Sequence, residues 1–428
     1  MSQSKSAAGA VKLTFSGYQR FVVGVLAFLQ FTIVLDFMLL APLGALVIPQ
    51  LRITTAQFGL IVSAYALSAG VSGLLTAGFA DRFDRKKLLL FFYSGFLVGT
   101  LLCGLASTYY WLLFARMVTG IFAGVVGSAA FAIVTDLFPM QMRGRVMGVL
   151  QTAFAASSVL GIPFGLMLSN RWGWNAPFFM TVVVSAVVGA VIWARLRPID
   201  EHLKHHPDRS PVHHLLHTIS NRSYVVGFLA TGTLSVGGFM LMPFTSVFVV
   251  NNVGLPISKL PLVYMITGAI SIVTGPLIGR ASDAFGYLKV FGFGCAVTIV
   301  MVVIYTHLGT VGLGTLVIVM VLLQIGIFSR MISSSALTSA LPAPGDRGSY
   351  MSISSSLQQA AGGVAAMLAG LIVVQTPTGM LEHFDILGYV LICTTLVSLT
   401  LMYFIDKAVG RSRAARAAAA PEASVSSP

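Results

Sequence analysis

Long stretches without a single Asp, Glu, Lys or Arg recur along this chain, at 53–80, 117–135, 146–170, 172–194 and 386–405. A helix rises 1.5 Å per residue, so about 20 apolar residues cross a hydrocarbon core of ~30 Å, and each stretch is long enough to do so. The charge-free runs 88–115, 290–329 and 348–381 are longer still and hold more than one span, or a span and a loop. Only 9% of the 428 residues are charged and 56% are hydrophobic, against roughly 25% charged in a soluble domain. Such a chain has too little polar surface to live in water. With Gly, Pro and polar clusters as breaks, twelve helices are expected near 21–46, 57–79, 88–106, 110–134, 146–168, 176–195, 223–249, 259–280, 289–307, 312–330, 349–373 and 384–405. Basic residues precede the first apolar run, as in a secretion signal, but the run continues past Asp36 without a small-residue cleavage pattern, and we expect it to be retained as a span. Cys103, Cys295 and Cys393 fall inside predicted helices with no paired spacing, so neither a disulfide framework nor a metal site is expected.

The formal charge of +13 raises the question of an acidic partner such as nucleic acid, and its distribution answers it. With both termini on the inner side, the segments there hold 22 of the 26 Lys and Arg, counting Arg330 and Arg347 in a loop at 330–347. The opposite loops hold Arg52, Arg171 and Lys259. This is the positive-inside pattern, so the basic balance reports topology and contact with anionic lipid, and no nucleic-acid partner is expected. The expected location is a bacterial inner membrane, with cytoplasmic termini.

Shifting the chain by 202 residues superposes Arg20 on Arg222 and Asp81 on Asp283, and lays Ala80-Asp81-Arg82-Phe83-Asp84 on Ser282-Asp283-Ala284-Phe285-Gly286. Duplicated halves related by an axis along the membrane normal are a transporter device that sets the substrate site between them. The expected fold is therefore an all-α membrane protein with twelve transmembrane helices in two pseudo-symmetric six-helix bundles. The divisions are a tail at 1–20, bundles at 21–195 and 223–406, a linker at 196–222 and a disordered tail at 407–428. The linker carries His202, His205, His206, His213, His214 and His217, interrupted by Pro207 and Pro211. Their spacing fits no compact four-ligand site, and a solvated connector is expected.

Thr76-Ala77-Gly78-Phe79-Ala80-Asp81-Arg82-Phe83-Asp84-Arg85-Lys86-Lys87, between the second and third spans, resembles the signature loop of the major facilitator superfamily, Gly-x-Leu-Ala-Asp-Arg-x-Gly-Arg-Lys. Ala77 and Asp84 stand where that pattern has glycine, whereas the degenerate copy from Gly279 to Gly286 keeps both. Arg116, Gly120 and Gly124 in the fourth span are similar to the arginine motif of proton-coupled members. Gly148, Ser157, Gly161, Pro163 and Gly165 in the fifth resemble the glycine-proline motif of exporters, with Ser157 in place of a glycine and the proline displaced by one. The resemblance covers the whole chain and points to the twelve-helix drug:proton antiporters and sugar-efflux permeases. It implies a gate on the inner face built from Asp81, Arg82, Arg85 and Asp136, with Asp283 and Gly286 in the second copy. The cations also suffice to enforce topology. Gly120, Gly124 and Gly127 allow close helix approach where lipid offers no hydrophobic drive for association. Pro163 removes a backbone donor and permits a bend.

Asp36 is the one acidic residue placed deep in a span, and Arg116 the one base placed there. Charge inside a bilayer is costly enough to mark function by default. At 1.5 Å per residue Asp36 lies ~22 Å and Arg116 ~20 Å above the inner edge, so the two can share a depth. Burial and a neighbouring guanidinium act in opposite senses on a carboxyl's hold on its proton, so Asp36 is expected to be the proton site and Arg116 its partner. A fixed ion pair gluing helices one and four is the alternative. At the 202-residue offset their counterparts are Gly238 and Ile318, which confines coupling chemistry to the first half. Gln30, Tyr65, Tyr264, Gln324 and Gln358 are candidate cavity-lining residues. No convergent nucleophile and base, metal set or phosphate-cradling loop is present, so an enzyme and a cofactor are not expected. The reading is a monomeric secondary transporter exchanging protons for a small amphipathic or sugar-like substrate, with proton-coupled uptake as the rival. A membrane sensor signalling through the linker is the reading from a different class.

Overall fold

The computed structural model describes residues 15–200, 203, 218–343 and 346–419. The histidines of the linker lie outside them. Helix α1 (Gly17–Leu39) starts at a reciprocal cap in which Ser16 Oγ accepts from Gln19 N and Gln19 Oε1 from Ser16 N, and Thr54 and Gln57 open α3 (Thr55–Phe79) in the same way. Each cap satisfies donors that a helix start otherwise leaves bare. The first half continues through α4 (Arg85–Gly104), α5 (Tyr109–Leu137), α6 (Met140–Ala156), α7 (Ile162–Trp172) and α8 (Ala176–Arg195). In the second half α9 (Arg222–Met240), α11 (Leu260–Phe285), α12 (Tyr287–Thr306), α13 (Leu313–Ser339), α14 (Arg347–Ile372) and α15 (Phe384–Ala419) repeat the plan. The third helices of the two halves, α4 and α12, are each 20 residues long and begin 202 residues apart. Ten helices among the described residues are long and apolar enough to cross a membrane. The interrupted α6–α7 rod and the more polar α14 complete twelve.

Three expected spans are broken, each at a proline. The first does not run to 46: α1 stops at Leu39, the chain turns through 40–43, and a short helix α2 (Gly44–Leu51) follows. Pro42 has no N–H to continue the ladder, and the turn closes instead through Leu43 N to Leu40 O at 3.1 Å. The seventh repeats this, with α9 ending at Met240, a 3-10 turn over Met242–Phe244 containing Pro243, and α10 (Thr245–Asn251). Pro42 and Pro243 stand 201 residues apart, so the leading helices of the two halves align one residue away from the register expected at 202. The fifth span carries a π turn at Ser157–Gly161 just before Pro163, where Ile162 N bonds back five residues to Ser157 O. Both ends are also longer than expected: this rod covers 140–172, and α13 runs on to Ser339 rather than stopping near 330.

The face bearing loop 80–84 also holds the start of α1 and the end of α8, through Arg197 N to Tyr18 OH at 2.9 Å and Arg85 N to Ile199 O at 3.1 Å. We call it the basic face. Apolar packing differs between the two faces. One cluster gathers residues of both halves at the opposite face, among them Leu43, Phe58, Phe244 and Phe384. Towards the basic face, one cluster belongs to the first half and another to the second, and a smaller one of Tyr224, Phe228, Tyr350 and Ile353 has Leu74 of the first half packed against it. The two proline breaks meet at the opposite face, where Ser246 Oγ donates to Ala41 O at 2.9 Å, and Thr55 Oγ1 donates to Val373 O at 2.6 Å. A two-residue hairpin, β1 (Val374–Gln375) with β2 (Leu381–Glu382), closes that face and is pinned by Asn252, which donates to Leu381 O at 2.9 Å and accepts from Leu381 N at 2.8 Å.

Candidate functional site

Asp36 sits three residues before the end of α1, and Arg116 lies on the second turn of α5. Arg116 Nη1 donates to Asp36 Oδ2 at 2.8 Å and to Asp36 O at 3.2 Å, with both side chains 0% exposed. The guanidinium lies 4.3 Å over the ring of Tyr65, whose hydroxyl donates to Ile33 O at 3.4 Å. That ring is in place because α5 presses against α3: a Cβ on Gly120 would stand 2.4 Å from Tyr65 O, and one on Gly124 2.2 Å from Ala69 O. A Cβ on Gly127 meets nothing within 4 Å, so the contact uses two of the three glycines. Asp36 Oδ1, Arg116 Nε and Arg116 Nη2 are buried without a hydrogen-bond partner. The pair therefore keeps one contact between its two charged groups and leaves three polar atoms unused, which is unusual for charge in an apolar interior.

The fifth-span residues sit against this site from behind. A Cβ on Gly161 would come 2.4 Å from Leu35 Cδ1 and one on Gly165 2.5 Å from Leu39 Cδ1, so α7 rests on the turn of α1 that carries Asp36. Ser157 Oγ, its single hydrogen serving two acceptors, lies 3.0 Å from Phe31 O and 2.9 Å from Ala153 O. Pro163 is buried beside the π turn, whereas Gly148 is exposed and far from any such contact. Of the candidate lining residues only Tyr65 joins the pair. Gln30, Tyr264, Gln324 and Gln358 are half-buried, and Gln30 Oε1 is buried without a partner.

At the basic face Arg85 Nε donates to Asp136 Oδ2 at 2.9 Å and Arg85 Nη1 to Ala80 O at 2.9 Å. Both partners belong to the first bundle, so the ion pair staples α4 to the foot of α5. Arg82 is exposed. The backbone of Asp81 forms part of a 3-10 turn over Ala80–Arg82, while its side chain lies outside the described residues. The second copy is built differently: Asp283 accepts from Tyr287 OH at 2.8 Å, and Gly286 at φ +94° ends α11 in a conformation that disfavours a side chain. Arg85→Gln is expected to remove about 1.5–3 kcal/mol of stability, the usual worth of a hydrogen bond to a charged group. Urea unfolding in mixed micelles checks it, and an unchanged midpoint would show the staple to be idle.

One charge was placed wrongly from the sequence. Arg330 is not in a loop: it lies within α13, nine residues before that helix ends, and is 2% exposed. The signal was present, since 331–345 also lacks charge, but Ser333 to Ser335 read as polar loop whereas small hydroxyls are at home between packed helices.

Two six-helix bundles with a buried ion pair between membrane-spanning helices are the build of a multi-pass membrane transporter rather than an enzyme. The sequence matches the family model described as Major Facilitator Superfamily over residues 26–367 and again over 227–426, and the chain belongs to that superfamily. It is 26% identical over 398 residues to the uncharacterized MFS-type transporter YceJ of Bacillus subtilis (strain 168), covering 91% of this chain and 97% of that one. It is 31% identical over 131 residues to Multidrug resistance protein 3 of the same organism, a match covering 31% of this chain and 26% of that one. Among solved structures it is similar to a point mutant of the nucleoside transporter NupG, with a TM-score of 0.72, 13% identity, and coverage of 90% of this chain and 99% of that one.

Proposed function

We propose that this chain is a proton-coupled antiporter that exports a small amphipathic or sugar-like molecule by alternating access, with Asp36 as the proton site and Arg116 as its partner. The observation that carries the reading is the fully buried Asp36–Arg116 pair with its unused donors and acceptor. Protonation of Asp36 removes its charge and loosens its hold on Arg116; loss of the proton restores the pair. A substrate that donates to the unpartnered Oδ1 of Asp36 stabilises the charged carboxylate and so competes with that proton, which is the condition for exchange. The segments 21–195 and 223–406 would act as the two rocking units, with the basic face towards the cytoplasm of a bacterial inner membrane. The large apolar cluster shared by both halves at the opposite face, against a shared packing at the basic face limited to Leu74 on the cluster of Tyr224, Phe228, Tyr350 and Ile353, supports a state closed outward. Arg85 and Asp136 would then serve the inner gate by fixing the foot of α5. The similarity to Multidrug resistance protein 3 and the π turn beside Pro163 support export.

The test adds a panel of drugs and sugars to the purified protein and follows protons. Wild type is expected to release protons on substrate addition and Asp36→Asn to release none. Unchanged release in the variant would move coupling away from Asp36, and binding without any proton signal would point to uniport or another ion.

A further inference from the structure

The second bundle holds a buried cation that no carboxylate among the described residues answers. Arg330 is 2% exposed, its Nε and Nη2 have no hydrogen-bond partner, and among the described residues it forms no ion pair. A guanidinium stays protonated, so this charge cannot be shed. Its polar neighbour is the thiol of Cys295 on α12, a weak acceptor. An unanswered charge in a membrane core is expensive, and such groups face a partner or a pathway.

The geometry on the other side of the guanidinium says what is missing. A Cβ on Gly237 of α9 would stand 3.8 Å from Arg330 Nη2 and 2.5 Å from Thr394 Oγ1 of α15. Gly237 lies three residues before the end of α9, as Asp36 lies three residues before the end of α1, and Pro243 and Pro42 follow each at six residues. In the register set by these breaks, Gly237 is therefore the counterpart of Asp36. The first bundle places a carboxylate there and closes it on an arginine from its fourth span. The second bundle also aims an arginine from its fourth span at this position, and finds a glycine. A second orphan lies on the same helix seam: Thr298 Oγ1 is buried without a partner, against Gly326, one turn from Arg330.

We infer that Arg330 binds the carboxylate of an organic anion, which takes in the second bundle the place that Asp36 fills in the first. The transported molecule would thus carry an acidic group, entering between α9 and α13 and accepting from Nε and Nη2. This rests on the transport reading above and narrows its substrate class. A small inorganic anion offers the same countercharge without being cargo, and the test separates the two.

The full-length purified protein is melted in a neutral detergent with sodium benzoate, with the uncharged benzamide, and with chloride against gluconate. Benzoate is expected to raise the melting temperature of wild type in a saturable way, with benzamide and chloride inactive. Arg330→Gln should weaken that response at least about tenfold, the loss of one charge-assisted contact. Gly237→Asp, made with Thr394→Ala because its Cβ would otherwise stand 2.5 Å from Thr394 Oγ1, supplies the carboxylate internally, and should abolish the benzoate response while melting no lower than Thr394→Ala alone. It decides the matter should Arg330→Gln fail to fold. An equal response to chloride, or a benzoate response that survives both substitutions, overturns the assignment. Asp36→Asn keeps these two readings apart: it should still respond to benzoate, whether or not proton release depends on Asp36.

Discussion

Asp36→Leu is expected to destabilise the folded protein by about 3–5 kcal/mol, the cost of leaving a buried charge without its partner. Arg116→Met should cost distinctly less, although it breaks the same 2.8 Å contact. The difference lies in what each variant leaves behind. A lone carboxyl in an apolar interior can take up a proton and become neutral, whereas a lone guanidinium cannot lose one. With Asp36 gone, Arg116 would keep only the 3.2 Å bond from Nη1 to the main-chain carbonyl of residue 36 and the face of Tyr65, with Nε and Nη2 still lacking partners. The double variant Asp36→Leu/Arg116→Met should recover most of the loss, since an ion pair replaced by apolar groups of similar volume is often neutral. Denaturant unfolding of the four proteins in mixed micelles gives the coupling between the two sites directly. Equal single-variant costs that simply add in the double would show that the two side chains do not depend on one another, and would remove the basis for treating them as one proton-coupling unit.

Gly124→Val should be at least as damaging, for a steric reason that owes nothing to charge. Even a Cβ there would stand 2.2 Å from the carbonyl oxygen of Ala69, and backbone cannot swing aside as a side-chain tip can. The helices α3 and α5 would have to separate along their whole contact. That contact sets the position of Tyr65 under Arg116, so the variant should lose both folding yield and any proton signal. Overpacking of this kind typically costs about 1–3 kcal/mol and more where backbone is the obstacle, so about 3 kcal/mol or above is expected. Gly127→Ala, three residues on, meets nothing within 4 Å and serves as the matched control. Thermal melting of the two variants checks the claim. Similar melting temperatures would mean that the α3–α5 spacing is set elsewhere.

Both predictions use residues that a reader of the sequence could pick out, and the structure explains why they, and not others, matter. Asp36 and Arg116 were visible because a charge inside a long apolar run is costly and calls for a partner or a function. The glycines at 120 and 124 were visible by their spacing, yet so was Gly127, and only the crossing of α3 and α5 separates them. Arg85 and Asp136 were expected to meet and do, at 2.9 Å, but as a staple inside one bundle. Arg330 was misplaced because the serines that follow it looked like a loop, although Ser333 and Ser334 are buried in the same helix.

Read alone, the order of residues gives the number of spans and the presence of two halves, though not where each span breaks. Membrane crossing depends on unbroken apolar length, and that is a property of the chain itself. Tertiary structure decided which residues meet: that two prolines 201 residues apart break the leading helices of both halves and bring those breaks together, and that the register so defined makes Gly237 the counterpart of Asp36. It also decided that, among the described residues, one buried arginine meets a carboxylate and the other does not. Such facts depend on helix rotation and crossing, which close packing of many side chains determines at once, so no local stretch of sequence carries them.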